Sequence, residues 1–222
     1  MADPNLKRAS SRGAEPRWPA IIAVIAAGGL SIALAPGLTI GPLWLFPAII
    51  LLLLLPTVIF HRFGYHHLDR VFGFTLTSVV TIELLISVIR LVSALPSRRE
   101  SPTALLLSAA SVWLSNILVF ALWYWRLDAG GPHGRDSRQG HVAGAFLFPQ
   151  MTMTPQAKAA AGQERWSPDF VDYLFLAFNT STAFSPTDSP VLARWGKGLM
   201  MLQSLISLAV LALLAARAVN IL

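Results

Sequence analysis

Long apolar runs separated by short polar stretches make up most of the chain. After a polar, basic opening at residues 1–17 come apolar runs at 18–35, 43–60, 71–95, 104–125 and 191–215. Pro36-Gly37 ends the first run, Gly41-Pro42 precedes the second, and Pro96 closes the third. Ser101-Pro102 before the fourth reads as a helix N-cap followed by a proline in the first turn. A helix rises about 1.5 Å per residue and needs ~20 residues to cross the hydrocarbon core. The pattern therefore predicts an all-α integral membrane protein with about five transmembrane helices.

The stretch between the last two runs is different. Residues 126–166 are polar apart from a short apolar patch at 142–148. Ser167-Pro168-Asp169 then starts a helix whose apolar run, 170–178, is too short to cross. A polar loop follows to 190. A half-helix that enters the membrane and returns as a loop fits this pattern; such irregular backbone survives there only if buried in protein or lining a wet cavity. The predicted organisation is a disordered basic tail (1–17), a three-helix membrane region (18–95) and a second module (96–222). That module has an outer helix at 104–125, a loop at 126–166, a half-helix and loop at 167–190, and an inner helix at 191–217.

Composition agrees with a membrane chain: 55% of the 222 residues are hydrophobic and 13% charged, against about 25% charged in soluble domains. The net charge of +6 does not point to nucleic acid, because Lys and Arg sit at segment ends, where they set topology and meet lipid headgroups. Thirteen of the 17 Lys and Arg fall on the side of the N-terminus and of the second and fourth connections. Arg98, Arg99 and Arg217 fall on the other. This bias puts the N-terminus and the half-helix on the cytoplasmic side and the C-terminus outside. The first run follows basic residues and contains Ala33-x-Ala35, as a signal peptide would; Pro36 directly after it predicts an uncleaved span. There is no cysteine, which removes disulfides and thiolate chemistry.

Polar residues inside the runs are the candidates for chemistry. Glu83 lies mid-way along the third run, where an ionised group costs at least ~2.5 kcal/mol and needs a partner, water or a proton. Ser87 and Arg90 share its helix face. Ser115 and Asn116 lie at the middle of the fourth run, and the Asn116 amide is a natural partner for Glu83. Such groups serve either as polar glue between helices or as a protonatable or cation-binding site. Gln203, Ser204 and Ser207 in the last run either face a conduction path or pack between helices.

His61, His66, His67 and Asp69 share one connection and have metal-binding chemistry, but their spacing matches no standard site and no metal is expected. His133 and His141 are isolated in the long loop. No nucleophile-elbow, zinc-protease or phosphate-loop motif occurs, so neither an enzyme nor a cofactor is expected.

Residues 104–217 resemble the pore domain of the potassium-channel superfamily. The resemblance rests on Asp172-Tyr173-Leu174-Phe175 at the pore-helix start. It continues through Thr180-Ser181-Thr182-Ala183-Phe184-Ser185-Pro186-Thr187-Asp188, where the family has T-x-T-T-V-G-Y-G-D, and through Pro190 and Arg194. The whole chain also resembles a family of uncharacterised bacterial multi-pass proteins, which implies a bacterial inner membrane. The filter glycines are replaced by Ser185 and Thr187, with Pro186 between them, so no potassium-type filter is expected. Thr180, Ser181, Thr182, Ser185, Thr187 and Asp188 become the pore-loop candidates. The resemblance implies a homo-oligomer, a tetramer if it is a pore, passing an inorganic cation. Asp188 is expected at the mouth, and Glu83, outside the resembling segment, in gating or proton coupling. The family's loop enters from outside, which conflicts with the charge bias. A non-conducting sensor or scaffold docking through the basic loop, and a proton-coupled transporter using Glu83, are the alternatives.

Overall fold

The computed structural model describes residues 15–94, 101–137, 144–164, 166–184 and 189–219. Among them the chain is helical, with one isolated antiparallel bridge between Phe146 and Val191. The helices are α1 (Trp18–Ile32), α2 (Leu45–Arg62), α3 (His66–Ala94) and α4 (Pro102–Leu127). Three short helices follow, α5 (Gly131–Asp136), α6 (Pro149–Thr152) and α7 (Pro155–Ala160), and then α8 (Phe170–Thr182) and α9 (Arg194–Val219). Four helices, α2, α3, α4 and α9, are long and apolar enough to cross a membrane. The first predicted span holds only 15 helical residues, α1, before a 3-10 turn at Pro36–Leu38.

Helix α4 is the hub. Helices α1, α3, α8 and α9 all pack on it, while α2 packs on α1 and α3. In its most apolar window 61% of α4 is buried, against 17% of α2. The outward face of α2 instead carries Leu51, Leu52, Leu55 and Ile59, side chains suited to hydrocarbon.

The element ends follow local chemistry. Ser101 Oγ accepts from Ala104 N at 3.2 Å and caps α4. Asp169 caps α8 as half of a reciprocal capping box with Asp172. Burial pushes the Asp172 carboxyl up to about 6, against the lowering effect of its hydrogen bond from the Asp169 N–H. The predicted polar connection at 61–70 is a turn at 63–65, since α2 runs through His61 and Arg62 and α3 begins at His66.

At the end of α4 the side chains of Trp123, Tyr124 and Trp125 pack against the protein body. Tyr124 and Trp125 are buried, and Trp123 Nε1 donates to Thr81 Oγ1 at 2.8 Å. The adjoining Arg126 donates from Nε to Thr77 Oγ1 at 2.9 Å. Gly73 makes room for it, because a Cβ there would fall 2.1 Å from the Arg126 guanidinium. At Gly131, with φ of +77°, a Cβ would fall 2.6 Å from the Arg126 carbonyl.

The stretch 126–166 is not simply a polar loop. Asp128 is fully buried; it accepts from Tyr173 OH at 2.6 Å and from Ala145 N at 2.5 Å. Arg135 Nη1 donates to the carbonyls of Trp125 at 2.9 Å and Asp128 at 3.0 Å. Its Nη2 meets Glu15 Oε2 at 2.9 Å, and the guanidinium lies over the Tyr173 ring. Glu15 also accepts from Trp125 Nε1, while Arg17 pairs with Asp136 at 2.9 Å. Residues 15–17, expected in a disordered tail, are thus part of the packed body.

Arg135→Ala would strand Glu15 at a buried site and should cost ~3–5 kcal/mol, measured by reversible unfolding in detergent. A loss below ~1 kcal/mol would mean that Glu15 finds solvent and that the clasp is not a structural tie.

Candidate functional site

Helix α8 runs antiparallel to α4 and stops half-way. Its first residue, Phe170, packs edge-on against Trp125 at the end of α4. Its last turn reaches Asn116, in the middle of α4, where Asn116 Nδ2 stands 3.5 Å from Ser181 Oγ. The chain then returns to the level it left: Val191 bridges to Phe146, and the Phe146 ring packs on Tyr124 and Tyr173. From there α9 descends past the end of α8.

A helix end leaves carbonyls without intrahelical partners, and α9 supplies donors for them. Ser204 Oγ donates to Thr180 O at 3.4 Å and Ser207 Oγ to Ser181 O at 2.9 Å. Gln203 Nε2 donates to Ala177 O at 2.7 Å and to Ser181 Oγ at 2.8 Å. Its Oε1 accepts from Tyr124 OH, and its carbonyl accepts from Asn116 Nδ2 at 3.2 Å. Asn116, Ser181, Gln203 and Ser207 are all fully buried. Of the two readings of the α9 polar residues, packing between helices is the arrangement found.

The pore-loop candidates divide. Thr180, Ser181 and Thr182 form the last turn of α8 rather than a loop. The Thr180 and Thr182 hydroxyls donate to Leu176 O at 2.8 Å and Phe178 O at 2.9 Å. Ser185, Thr187 and Asp188 lie outside the described residues. Phe184, just after α8, holds φ of +54°, a left-handed conformation costly for a bulky residue. It is exposed and borders an open, mostly apolar groove with Thr180, Met201, Ser204 and Leu208.

Glu83 and Asn116 do not meet. Asn116 faces α8 and α9, while its neighbour Ser115 joins Ser31, Glu83 and Ser87 around a cavity of about 20 Å³, room for one water. Ser87 Oγ donates to Glu83 Oε1 at 3.2 Å. Arg90 turns away and donates to Thr39 O at 2.5 Å. Glu83 thus has one hydroxyl partner and a water-sized space among the described residues, an arrangement that suits a carboxyl group in either protonation state.

A second cluster was visible in the sequence only in part, as His61 and Asp69. His133 on α5 reaches Asp69 on α3, with Nε2 2.7 Å from Oδ2. His61 on α2 stands 3.4 Å from the same oxygen. Sixty-four residues separate His133 from Asp69, so no spacing rule could have joined them.

No family model, curated protein or solved structure matches the chain.

Gln203→Leu removes partners from Ala177 O, Ser181 Oγ and Tyr124 OH together. Detergent unfolding should show a loss of ~1–3 kcal/mol, above the ~0.6 kcal/mol average of a single interhelical bond in a membrane. Glu83→Gln, which can keep the Ser87 contact, should change stability by less than ~1 kcal/mol.

Proposed function

We propose that this is a multi-pass protein of a bacterial inner membrane, whose α4, α8 and α9 form a re-entrant, pore-type module, and that an oligomer of the chain passes inorganic cations. The observation that carries the reading is the course of α8: 13 residues, roughly 20 Å by helix rise, ending beside mid-α4, after which the chain turns back. That course supports reading α4, α8 and α9 as an outer helix, a pore helix and an inner helix. Helix α1, extended by the residues after it, counts as the fifth crossing.

Cations are favoured over anions because the C-terminal, negative end of the α8 dipole faces the interior. Asp188 follows that end by six residues and is the acidic candidate for the mouth. Arg126 and Arg135 lie beside the opposite, N-terminal end of α8, over the Trp125 and Tyr173 rings, and the positive-inside rule assigns that end to the cytoplasm. Four copies would surround one path if the module assembles as the resemblance implies.

One observation favours a second reading, a non-conducting sensor or scaffold. The polar side chains of α9 that face α8 are used in sealing its end, as a brace requires.

Planar-bilayer recording of the purified chain in opposed KCl and NaCl separates the two. Discrete cation currents, altered in size or selectivity by Asp188→Asn, are expected from a pore. A folded, oligomeric protein that stays silent across voltage and pH would overturn conduction and leave the brace.

A further inference from the structure

We propose that His61, Asp69 and His133 form a binding site for a divalent transition-metal ion of the zinc class. The three come from separate elements: the last turn of α2, the first turn of α3, and α5 beyond the end of α4. Their ligand atoms all lie within 4.8 Å of one another. Two imidazoles and one carboxylate are a donor set that zinc and cobalt(II) accept, leaving the remaining position to water.

Two of the three donor spacings are near those of a bound ion. In a tetrahedral site with metal–ligand bonds of about 2.0 Å, neighbouring donors stand about 3.3 Å apart. His61 Nδ1 and Asp69 Oδ2 are 3.4 Å apart. His133 Nε2, at 2.7 Å from Asp69 Oδ2, would need to open by about half an ångström, which a small ring rotation supplies.

A second, independent observation is that His61 Nδ1 is shielded from solvent yet makes no hydrogen bond among the described residues. A buried polar atom normally has a partner; a metal ion would be one for a neutral imidazole nitrogen. Asp69 is itself buried, so its carboxylate is poorly hydrated and gains from a cation. The His66 ring lies edge-on to His133, with centroids 4.4 Å apart, and adds a further imidazole beside the three.

Two guanidiniums stand near, Arg17 and Arg126, which line a cavity with His61 and Asp69. They do not take up the donor atoms. Arg17 pairs with Asp136, and Arg126 turns to Thr77 and the Trp125 ring. A bound ion would clasp the α2–α3 hairpin to the polar assembly at the end of α4, whether or not the chain conducts.

The test uses the full-length chain, purified in mild detergent without a histidine tag and titrated with cobalt(II). One cobalt per chain, with the visible absorption of a tetrahedral site and a rise in melting temperature, is the expected result. His61→Gln and His133→Gln should each weaken binding at least ~10-fold, since even outer-shell changes at metal sites cost ~10- to 100-fold. His67→Ala, an exposed neighbour outside the cluster, should leave it unchanged. Each variant is read on the fraction that elutes as the folded species, and Asp69→Asn stands in if a histidine variant yields none. No stoichiometric uptake by the natural chain, uptake undiminished in the ligand variants, or equal loss in His67→Ala would overturn the site and leave His133–Asp69 as a hydrogen bond only.

Discussion

The Arg135 guanidinium is the interaction on which the placement of α8 depends. It is buried and binds two carbonyls at the end of α4, the Glu15 carboxylate and the face of Tyr173. Through Tyr173 it meets Asp128, which also holds the backbone at Ala145. The N-terminal segment, the end of α4, the connecting chain and the start of α8 thereby share one polar core. A charge removed from water this completely survives only with matched partners. The network must therefore form as a unit, and with it the point from which α8 starts. Its value is geometric: a buried pair specifies an arrangement more surely than it stabilises one.

The far end of α8 meets the complementary constraint. The last carbonyls of a helix have no intrahelical donors, and those at buried positions need partners from elsewhere. Ser204 and Ser207, three residues apart on α9, answer that need at Thr180 O and Ser181 O, and Gln203, four residues before Ser207 on the same face, adds a bond to Ala177 O one turn earlier. The two ends of α8 are thus held by different chemistry, charge at the start and neutral amide and hydroxyl groups at the finish. Charge at the start is matched by charge, through Arg135 and Glu15, and the finish is closed without any charged group among the described residues.

Much of this frame was legible from the chain. The apolar runs located the long helices, Ser101 announced the cap of α4, Ser167-Pro168-Asp169 marked the start of α8, and the short run after it predicted a helix that stops early. What was not legible depended on direction or distance. Ser115 and Asn116 are adjacent, yet about 100° of helical rotation separates them, so one joins the Glu83 cavity and the other turns to α8. Depth in the run suggested a pairing with Glu83 that azimuth forbids. The Trp125 ring is enclosed and its Nε1 is bound to Glu15, a contact that no local pattern announces. Glu15 itself looked like tail because its partner lies 120 residues away.

The same reasoning bears on how intramembrane polar residues should be read. Glu83 and Gln203 looked alike in sequence, each a polar side chain amid Leu and Ala. Gln203 has its amide oxygen and nitrogen engaged and is fully enclosed; its presence is accounted for by the carbonyls it covers. Among the described residues Glu83 has one hydroxyl partner, Ser87, and borders a water-sized cavity. Two polar side chains that look alike in sequence therefore have different surroundings, a closed set of partners in α9 and a water-sized space in α3.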